Sequence, residues 1–166
     1  MAIIQLGGND IETIGTLPKV GDTAPDFNLT AEDLSSKKLA DFMGSRVVMN
    51  IFPSIDTNVC ATSVRKFNEK ATGLHNTKVL CISKDLPFAQ KRFASDEGIN
   101  NLTNLSDFRD GNFGKNYGVE MANGALQGLH SRAVVVLDEN GKVIYNEQVS
   151  EIGKEPDYLS ALKQLL

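Results

Sequence analysis

A run of apolar residues that ends at a proline and passes into an amphipathic helix constrains the fold of this chain most. Val47 to Phe52 is rich in β-branched and aromatic side chains and is interrupted only by Asn50, a pattern typical of a strand buried inside a sheet. Pro53 ends the strand, because proline cannot donate to a central hydrogen-bond ladder. The apolar residues that follow recur at helical spacing and predict one face of a helix: Cys60, Val64, Phe67, Ala71 and Leu74.

Further segments of the same two kinds predict an α/β fold. Short apolar runs predict additional strands at 26–29, 78–83, 102–105, 132–137 and 142–149. Helical spacing and helix-terminus residues predict further helices at 87–98, 111–118 and 155–165. The helix after Pro53 has Asp56 or Thr57 as its N-cap and ends close to Gly73. This order of elements describes a mixed sheet covered by helices on both faces.

The N-terminus predicts a β-hairpin, and the length predicts a single domain. Two apolar-rich runs, Ile3 to Leu6 and Ile11 to Ile14, flank the turn-forming residues 7–10 within an N-terminal hairpin over residues 1–16. Of the 166 residues, 41% are hydrophobic and 23% charged, an ordinary globular composition that argues against disorder. Domains cluster at about 100 to 150 residues, so we expect one domain over 1–166.

Charge and hydropathy exclude two classes of partner. Seventeen basic and 21 acidic residues give a net charge of -4, and no basic cluster is longer than Lys37-Lys38. Nucleic acid is not an expected partner, because binding a phosphate backbone requires clustered Lys and Arg. No apolar run approaches the roughly 20 residues that span a bilayer, so we expect no membrane partner. The N-terminus lacks the basic and apolar regions of a signal peptide, which predicts a cytoplasmic protein.

The two cysteines and two histidines limit the chemistry of the chain. In a reducing compartment two cysteines do not make a disulfide framework, and with isolated histidines they do not have the spacing of a zinc site. We therefore expect neither a metal nor another cofactor. Any role of the cysteines is expected to be that of thiols.

Cys60 is placed where a thiolate is favoured. It falls in the first turn of the predicted helix, where unpaired backbone N–H groups and the helix dipole stabilise an anion, and the thiolate is the reactive form of cysteine. The position therefore indicates a candidate nucleophile. The alternative is that Cys60 only begins the apolar face of the helix, since free cysteine behaves as a small hydrophobic residue. Position alone leaves both interpretations open.

Several motifs in order resemble one family. The segment from Pro53 to Cys60 has the form P-x-x-x-T-x-x-C, and Gly21-Asp22-Thr23-Ala24-Pro25-Asp26-Phe27 lies upstream. Together with Arg132 at the start of a late strand, these motifs resemble the peroxiredoxin family. The N-terminal hairpin, Asn50 to Thr57, and Asp85-Leu86-Pro87-Phe88-Ala89-Gln90 resemble its bacterial thiol peroxidase subfamily. The resemblance covers essentially the whole chain and implies a thioredoxin-like fold, in which helices flank a central mixed sheet.

The resemblance implies a peroxidase site built on Cys60, Thr57, Pro53 and Arg132. A thiolate that attacks a peroxide must be stabilised while charge on the leaving oxygen is neutralised. Thr57 can direct its hydroxyl to the thiolate and the peroxide, and Pro53 can shield the site from water. Arg132 can supply a permanent cation with several donors. Taken singly, the three neighbours also fit a helix cap, a strand terminator and a surface cation.

The expected resolving cysteine is missing from the sequence. In thiol peroxidases a second thiol, in a segment of the form R-F-C-x-x-E-G, condenses with the sulfenic acid of the first; here the segment reads Arg92-Phe93-Ala94-Ser95-Asp96-Glu97-Gly98. Ala94 at this position puts the intramolecular disulfide in doubt and leaves peroxide reduction untouched. Either the chain is a one-cysteine variant that uses an external thiol, or the cysteine was replaced, which is the interpretation we favour.

The remaining cysteine and the histidines are given structural roles. Cys81 lies within an apolar strand, a setting that raises a thiol pKa and denies access, so we expect it to belong to the core. His75 and His130 have no carboxylate or cysteine at ligand spacing. Both are predicted to be ordinary loop or surface residues.

The resemblance predicts an antioxidant peroxidase. It implies reduction of hydrogen peroxide and preferably organic, lipid-like hydroperoxides through a Cys60 sulfenic acid, recycling by thioredoxin, and a homodimer. Turnover is expected to be impaired by Ala94. The alternative is a thioredoxin-like sensing or binding module that relays oxidation of Cys60 to a partner without turnover. A dithiol oxidoreductase is not favoured, because Thr57 stands where the first cysteine of a Cys-x-x-Cys motif would be.

Overall fold

The computed structural model describes residues 1–165; the predicted domain bounds include residue 166, which lies outside the described residues. In chain order the strands are β1 (Ile3–Leu6), β2 (Asn9–Glu12), β3 (Asn28–Ala31), β4 (Ser36–Lys38), β5 (Arg46–Ile51), β6 (Thr77–Ser83), β7 (Thr103–Ser106), β8 (Ala133–Leu137) and β9 (Val143–Gln148). The helices are α1 (Asn58–Ala71), α2 (Pro87–Glu97), α3 (Asn112–Asn116) and α4 (Tyr158–Lys163), with a short 3₁₀ helix over Leu39–Phe42. Over residues 1–165, no helix has the length and apolar character needed to cross a membrane.

The apolar run before Pro53 forms the centre of the sheet, as predicted. The seven-stranded sheet has the order β4-β3-β7-β6-β5-β8-β9, with β5 parallel to β6 and antiparallel to β8. Val48 pairs with Val79 on one side and Val136 on the other. Helices cover both faces of this mixed sheet, so the predicted fold class is confirmed.

The two faces of the sheet carry separate apolar clusters because side chains alternate along each strand. On one face, Val48 packs with Phe67 of α1 and with the inward residues of α4. The predicted inward set of the last helix is confirmed: Tyr158, Ala161, Leu162 and Leu165. On the opposite face, Met49 packs with Phe113 of α3 and with Leu39 of the 3₁₀ helix.

The N-terminal hairpin forms with a tighter turn than predicted. Its strands pair from Ile3 opposite Glu12 to Leu6 opposite Asn9, so Gly7 and Gly8 alone make the turn. Both glycines have positive φ, the conformation that a two-residue hairpin turn of this kind requires. Strand β2 therefore begins two residues before the predicted Ile11. The hairpin packs against the rest of the chain through a cluster of buried apolar residues: Ile4, Ile11, Met121 and Ile152.

Other elements also differ from the sequence-based expectation, and the 3₁₀ helix over Leu39–Phe42 was not predicted. Strand β4 was not predicted, because Ser36 to Lys38 has no apolar alternation and lies at the sheet edge, where lysines are common. Strand β3 begins at Asn28 rather than at residue 26. Helix α4 begins at Tyr158 and not at Glu155-Pro156, because the Asp157 carboxylate accepts a hydrogen bond from the Ser160 N–H and caps the helix there.

Candidate active site

The junction between β5 and α1 buries a thiol at the start of a helix. Thr57 is the N-cap of α1, and Cys60 is its third residue. The Cys60 side chain is fully buried, in one apolar cluster with Phe52, Val64 and Phe93. The predicted helical face is therefore correct, and it carries the thiol inward.

Arg132 contacts this thiol. Its Nη2 donates a hydrogen bond to Cys60 Sγ over 3.2 Å, and its Nε donates to the Ile152 carbonyl over 2.8 Å. The register of the sheet explains the meeting: Ala133 of β8 pairs with Ile51 of β5, so the residue before β8 lies beside the segment that leaves β5. Arg132 is 2% exposed, which rules out the alternative of a surface cation.

One nitrogen of the Arg132 guanidinium makes no hydrogen bond within the described residues. Its Nη1 is buried and has no hydrogen-bond partner within residues 1–165. A buried donor without a partner costs free energy of about 1 to 3 kcal/mol, so its retention calls for an explanation. The arginine lines a cavity of about 210 Å³ that also includes Pro53 and Thr57. The guanidinium that contacts the thiol therefore belongs to a residue of the cavity wall.

The rest of the cavity wall is mainly apolar. Its apolar lining residues include Leu6 of the hairpin, Leu126 and Ile152. The hairpin is therefore part of the site, because it packs on Ile152 and contributes a wall residue. Sequence reasoning did not assign any of these three residues to the site.

The loop between β5 and α1 holds the other two predicted site residues. Pro53 is buried and Thr57 is exposed, and both line the cavity. The Thr57 hydroxyl donates to the Ser54 carbonyl over 3.0 Å, and no hydrogen bond joins it to Cys60 Sγ in the described part of the chain. The structure thus brings Pro53, Thr57, Cys60 and Arg132 to one place, with the threonine hydroxyl turned towards its own loop.

Comparisons with known proteins identify the relatives of this chain. A model of the redoxin family matches residues 19–162. The thiol peroxidase of Corynebacterium glutamicum is 54% identical over 165 residues, which are 99% of each chain. The chain belongs to the thiol peroxidase branch of the peroxiredoxins. The thiol peroxidase of Mycobacterium bovis is 53% identical over 165 residues, again 99% of each chain.

A solved structure supports the same family on the level of the fold. The crystal structure of a peroxiredoxin-like protein from Aquifex aeolicus matches with a TM-score of 0.94 and 39% identity, over 99% of this chain and 96% of that one. The thioredoxin-like fold expected from the resemblance is therefore confirmed. The substrate of a thiol peroxidase is a peroxide and its reductant is a thiol.

In this thiol peroxidase the second cysteine belongs to the core, as predicted. Cys81 lies in β6 and is fully buried, and burial raises its pKa to about 12, against a smaller opposing effect of the hydrogen bond from Asn50. At neutral pH Cys81 therefore stays protonated and unreactive.

Asn50 is a buried polar residue to which the sequence analysis gave no role, although it visibly interrupts an apolar strand. It donates to Ser63 Oγ, which donates to the Cys60 carbonyl, over 3.1 and 2.8 Å.

The position of the missing resolving cysteine lies on helix α2. Ala94 is 8% exposed, and it follows Phe93, which packs in the same apolar cluster as Cys60. A side chain at position 94 is thus buried while α2 is intact. Its correspondence with the resolving cysteine of thiol peroxidases stays a prediction.

One histidine prediction is confirmed and the other is wrong. His75 is exposed in the loop before β6, as expected. His130 is fully buried, and its Nε2 lies 2.8 Å from Asp107 Oδ2. The contact joins positions 23 residues apart, so no local spacing could reveal it. His130 also makes an isolated β-bridge with Glu120, whose N–H donates to the Gly114 carbonyl, and the Gly114 N–H donates to Asp107 Oδ2.

Proposed function

We propose that this thiol-dependent peroxidase reduces hydroperoxides through a sulfenic acid at Cys60. The observation that carries the proposal is the buried Cys60–Arg132 contact beside a mainly apolar cavity. No observation on residues 1–165 favours the alternative of a sensing module without turnover.

In the proposed reaction the Cys60 thiolate attacks one oxygen of the peroxide bond. The S–O bond forms as the O–O bond breaks, and the leaving oxygen takes the electron pair and then a proton to become an alcohol, or water from hydrogen peroxide. Cys60 becomes the sulfenic acid. Arg132 stabilises the thiolate through Nη2, and its positive charge stabilises the oxygen on which negative charge develops in the transition state.

Pro53 and Thr57 complete the proposed site. Pro53 is buried on the cavity wall and limits the access of water to the reacting sulfur. The Thr57 hydroxyl uses its proton on the Ser54 carbonyl, so its oxygen lone pairs remain available to accept from the proton-bearing oxygen of the peroxide. The two residues orient the substrate rather than activate the thiol.

The apolar wall supports a preference for organic hydroperoxides. Leu6, Leu126 and Ile152 offer an alkyl or aryl group a place to lose contact with water, at about 25 cal/mol for each Å² of apolar surface buried. Hydrogen peroxide has no such group and gains nothing from this wall. We infer that lipid-like hydroperoxides are the preferred substrates, in an antioxidant role.

The cycle closes with an external thiol. Two thiols convert the sulfenic acid into the Cys60 thiol and water while they form a disulfide between themselves. We propose thioredoxin as the reductant of the disulfide that a resolving cysteine would form. With Ala94 in place, reduction depends on direct attack of a thiol on the buried sulfenic acid, which slows turnover. A reducing compartment supplies such thiols, so we place the protein in the cytoplasm.

An apolar surface supports a homodimer. Leu86, Phe88 and Phe108 are exposed large hydrophobic residues that follow the adjacent parallel strands β6 and β7. Their loops lie together, because the Ser106 hydroxyl donates to the Asp85 carbonyl. We propose that this surface packs against its copy in a second chain, since exposed apolar patches commonly mark interfaces.

Substrate preference tests the proposed function and the role of the cavity wall. With dithiothreitol as reductant, the wild-type protein is expected to consume cumene hydroperoxide with a higher kcat/KM than hydrogen peroxide. Leu126→Asn is expected to lower the ratio of the two values about tenfold, the effect of losing a good apolar contact in a pocket. The rate with hydrogen peroxide should change little, because that substrate does not reach the wall.

Leu129→Asn is the matched control. Leu126 and Leu129 are both half-buried and both pack on the hairpin cluster, but Leu129 lies outside the cavity lining. The control should keep the wild-type ratio. Equal loss in both variants would remove Leu126 from the substrate wall, and no consumption of either peroxide by the wild type would refute the function.

A further inference from the structure

A single carboxylate fastens the loop that shapes the candidate active site. Asp85 follows β6, and its Oδ1 accepts a hydrogen bond from Ser54 Oγ over 2.7 Å. Its Oδ2 accepts from the Ile55 N–H over 2.7 Å and from Ser83 Oγ over 2.6 Å. Hydrogen bonds to an ionised acceptor are short and about twice as strong as neutral ones. The loop from Pro53 to Thr57 is thereby joined to the neighbouring strand.

The hydrogen-bond network of Asp85 extends to the cavity wall through Ser54. The Ser54 hydroxyl oxygen accepts from the Asp56 N–H, and the Ser54 carbonyl accepts from both the N–H and the hydroxyl of Thr57. Asp85 therefore fixes Ser54, Ser54 fixes Thr57, and Thr57 is the N-cap from which α1 carries Cys60 inward. Asp85 itself is not part of the cavity lining.

Asp85 is held rigidly enough to serve as an anchor. Ser83 is fully buried, and its hydroxyl oxygen accepts from Gln90 Nε2 of helix α2 over 3.3 Å. The backbone carbonyl of Asp85 accepts from the Ser106 hydroxyl at the end of β7. The carboxylate is thus supported by β6, β7 and α2, while the loop it holds belongs to β5 and α1.

We propose that Asp85 is a positioning residue for the peroxidase reaction. It holds the loop closed over Cys60 and keeps Pro53 and Thr57 in the arrangement that receives a peroxide. The role rests on the proposed function, and Asp85 acts through Ser54 and Ile55 without touching the reacting atoms. A displacement of about 1 Å in such a site costs up to about a hundredfold in rate.

The test compares Asp85→Ala with Asp85→Asn in the full chain. Alanine removes every acceptor, and we expect the second-order rate constant of reduced Cys60 with cumene hydroperoxide to fall about tenfold or more. Asparagine can restore the network: its carbonyl accepts from Ile55 N–H and Ser83 Oγ, and its amide donates to Ser54 Oγ. The asparagine variant should therefore regain most of the wild-type rate.

A second readout separates positioning from general loss of structure. Release of the loop exposes Cys60, so Asp85→Ala should be alkylated faster by iodoacetamide at Cys60 while it reacts more slowly with peroxide. Cys81 is the internal control, because it is fully buried within β6, which is paired on both sides in the sheet and does not depend on Asp85, and it should stay unalkylated. Opposite changes in the two Cys60 rates are expected from a positioning role alone.

Asp138→Ala is the matched control variant. Asp138 also fastens a loop, since its Oδ1 accepts from the N–H groups of Asn140 and Lys142 over 2.9 Å, but it lies at the opposite end of β8 from Arg132. Its removal should leave both Cys60 rates unchanged. If Asp85→Ala does not fold, Ser54→Ala replaces it; that variant removes one of the two bonds to the loop and should change both rates in the same directions.

The outcomes are distinct. A wild-type peroxide rate in Asp85→Ala or, if it does not fold, in Ser54→Ala overturns the role of Asp85, as does an asparagine variant no faster than the alanine variant. Faster alkylation of Cys81 together with Cys60 points to general loosening and overturns it too. A wild-type protein whose Cys60 fails to react with peroxide overturns the proposed function itself, which is a different result.

Discussion

Replacement of Arg132 by methionine is expected to slow the reaction of Cys60 with cumene hydroperoxide by about two to three orders of magnitude, the usual cost of removing one donor that stabilises developing negative charge. Methionine fills a similar volume but provides no N–H group. The variant loses the Nη2 contact with Cys60 Sγ and the free Nη1 donor together. Stopped-flow mixing of pre-reduced protein with excess peroxide measures the rate.

Two further variants separate charge, geometry and folding in this experiment. Arg132→Lys keeps the positive charge but not the planar pair of donors, and should fall between wild type and methionine. Arg46→Met removes an arginine whose guanidinium donates to the carbonyls of His75 and Leu165, far along the sheet from Cys60, and should react at the wild-type rate. A wild-type rate in Arg132→Met would remove Arg132 from the site.

Replacement of Ala94 by cysteine is expected to change the protein from a single turnover to continuous turnover. Ala94→Cys is expected to give continuous NADPH oxidation with thioredoxin, thioredoxin reductase and cumene hydroperoxide, where the parent chain stops after about one equivalent because it has no partner thiol within the chain. Position 94 is buried on α2, so the helix has to open before the two sulfurs meet. Its N-terminal half is fastened by Gln90 to the Leu105 carbonyl, and we expect the opening in the half that follows.

Ala89→Cys is the control for this gain. It places the same residue in the same helix, five positions earlier and close to Gln90, where the helix is fastened. A cysteine there should not restore thioredoxin-linked turnover. If Ala94→Cys also stops after one equivalent with the complete reducing system, position 94 is not the resolving position.

Local patterns predicted most of the fold. The buried strand before Pro53, the apolar face of α1, and helix α2 between Pro87 and Gly98 all follow from residues close together in sequence. The polar edge strand β4 has no such pattern, because an edge position neither requires apolar alternation nor excludes lysine. Helix α4 begins later than predicted, because the side-chain cap at Asp157, and not Pro156, determines its first residue.

Some features of the candidate site also follow from local sequence, and others do not. The helix-terminal position of Cys60 is a local feature, and the interruption of a strand by Asn50 was a readable signal. Arg132 lies 72 positions from Cys60, and only the family resemblance connected the two. The Asp85 network and the buried Asp107–His130 pair join residues from different strands and loops, and their meeting depends on strand order and register, which short patterns do not specify.

We propose that Cys60, and not Cys81, is the thiol that reduces peroxide. The most direct test treats the fully reduced protein with one equivalent of cumene hydroperoxide in the presence of dimedone, then locates the adduct by peptide mass spectrometry. We expect a dimedone adduct on Cys60 and a Cys81 that remains a free thiol, since burial in β6 keeps Cys81 protonated. Equal labelling of both cysteines, labelling of Cys81 alone, or no adduct on either would contradict it.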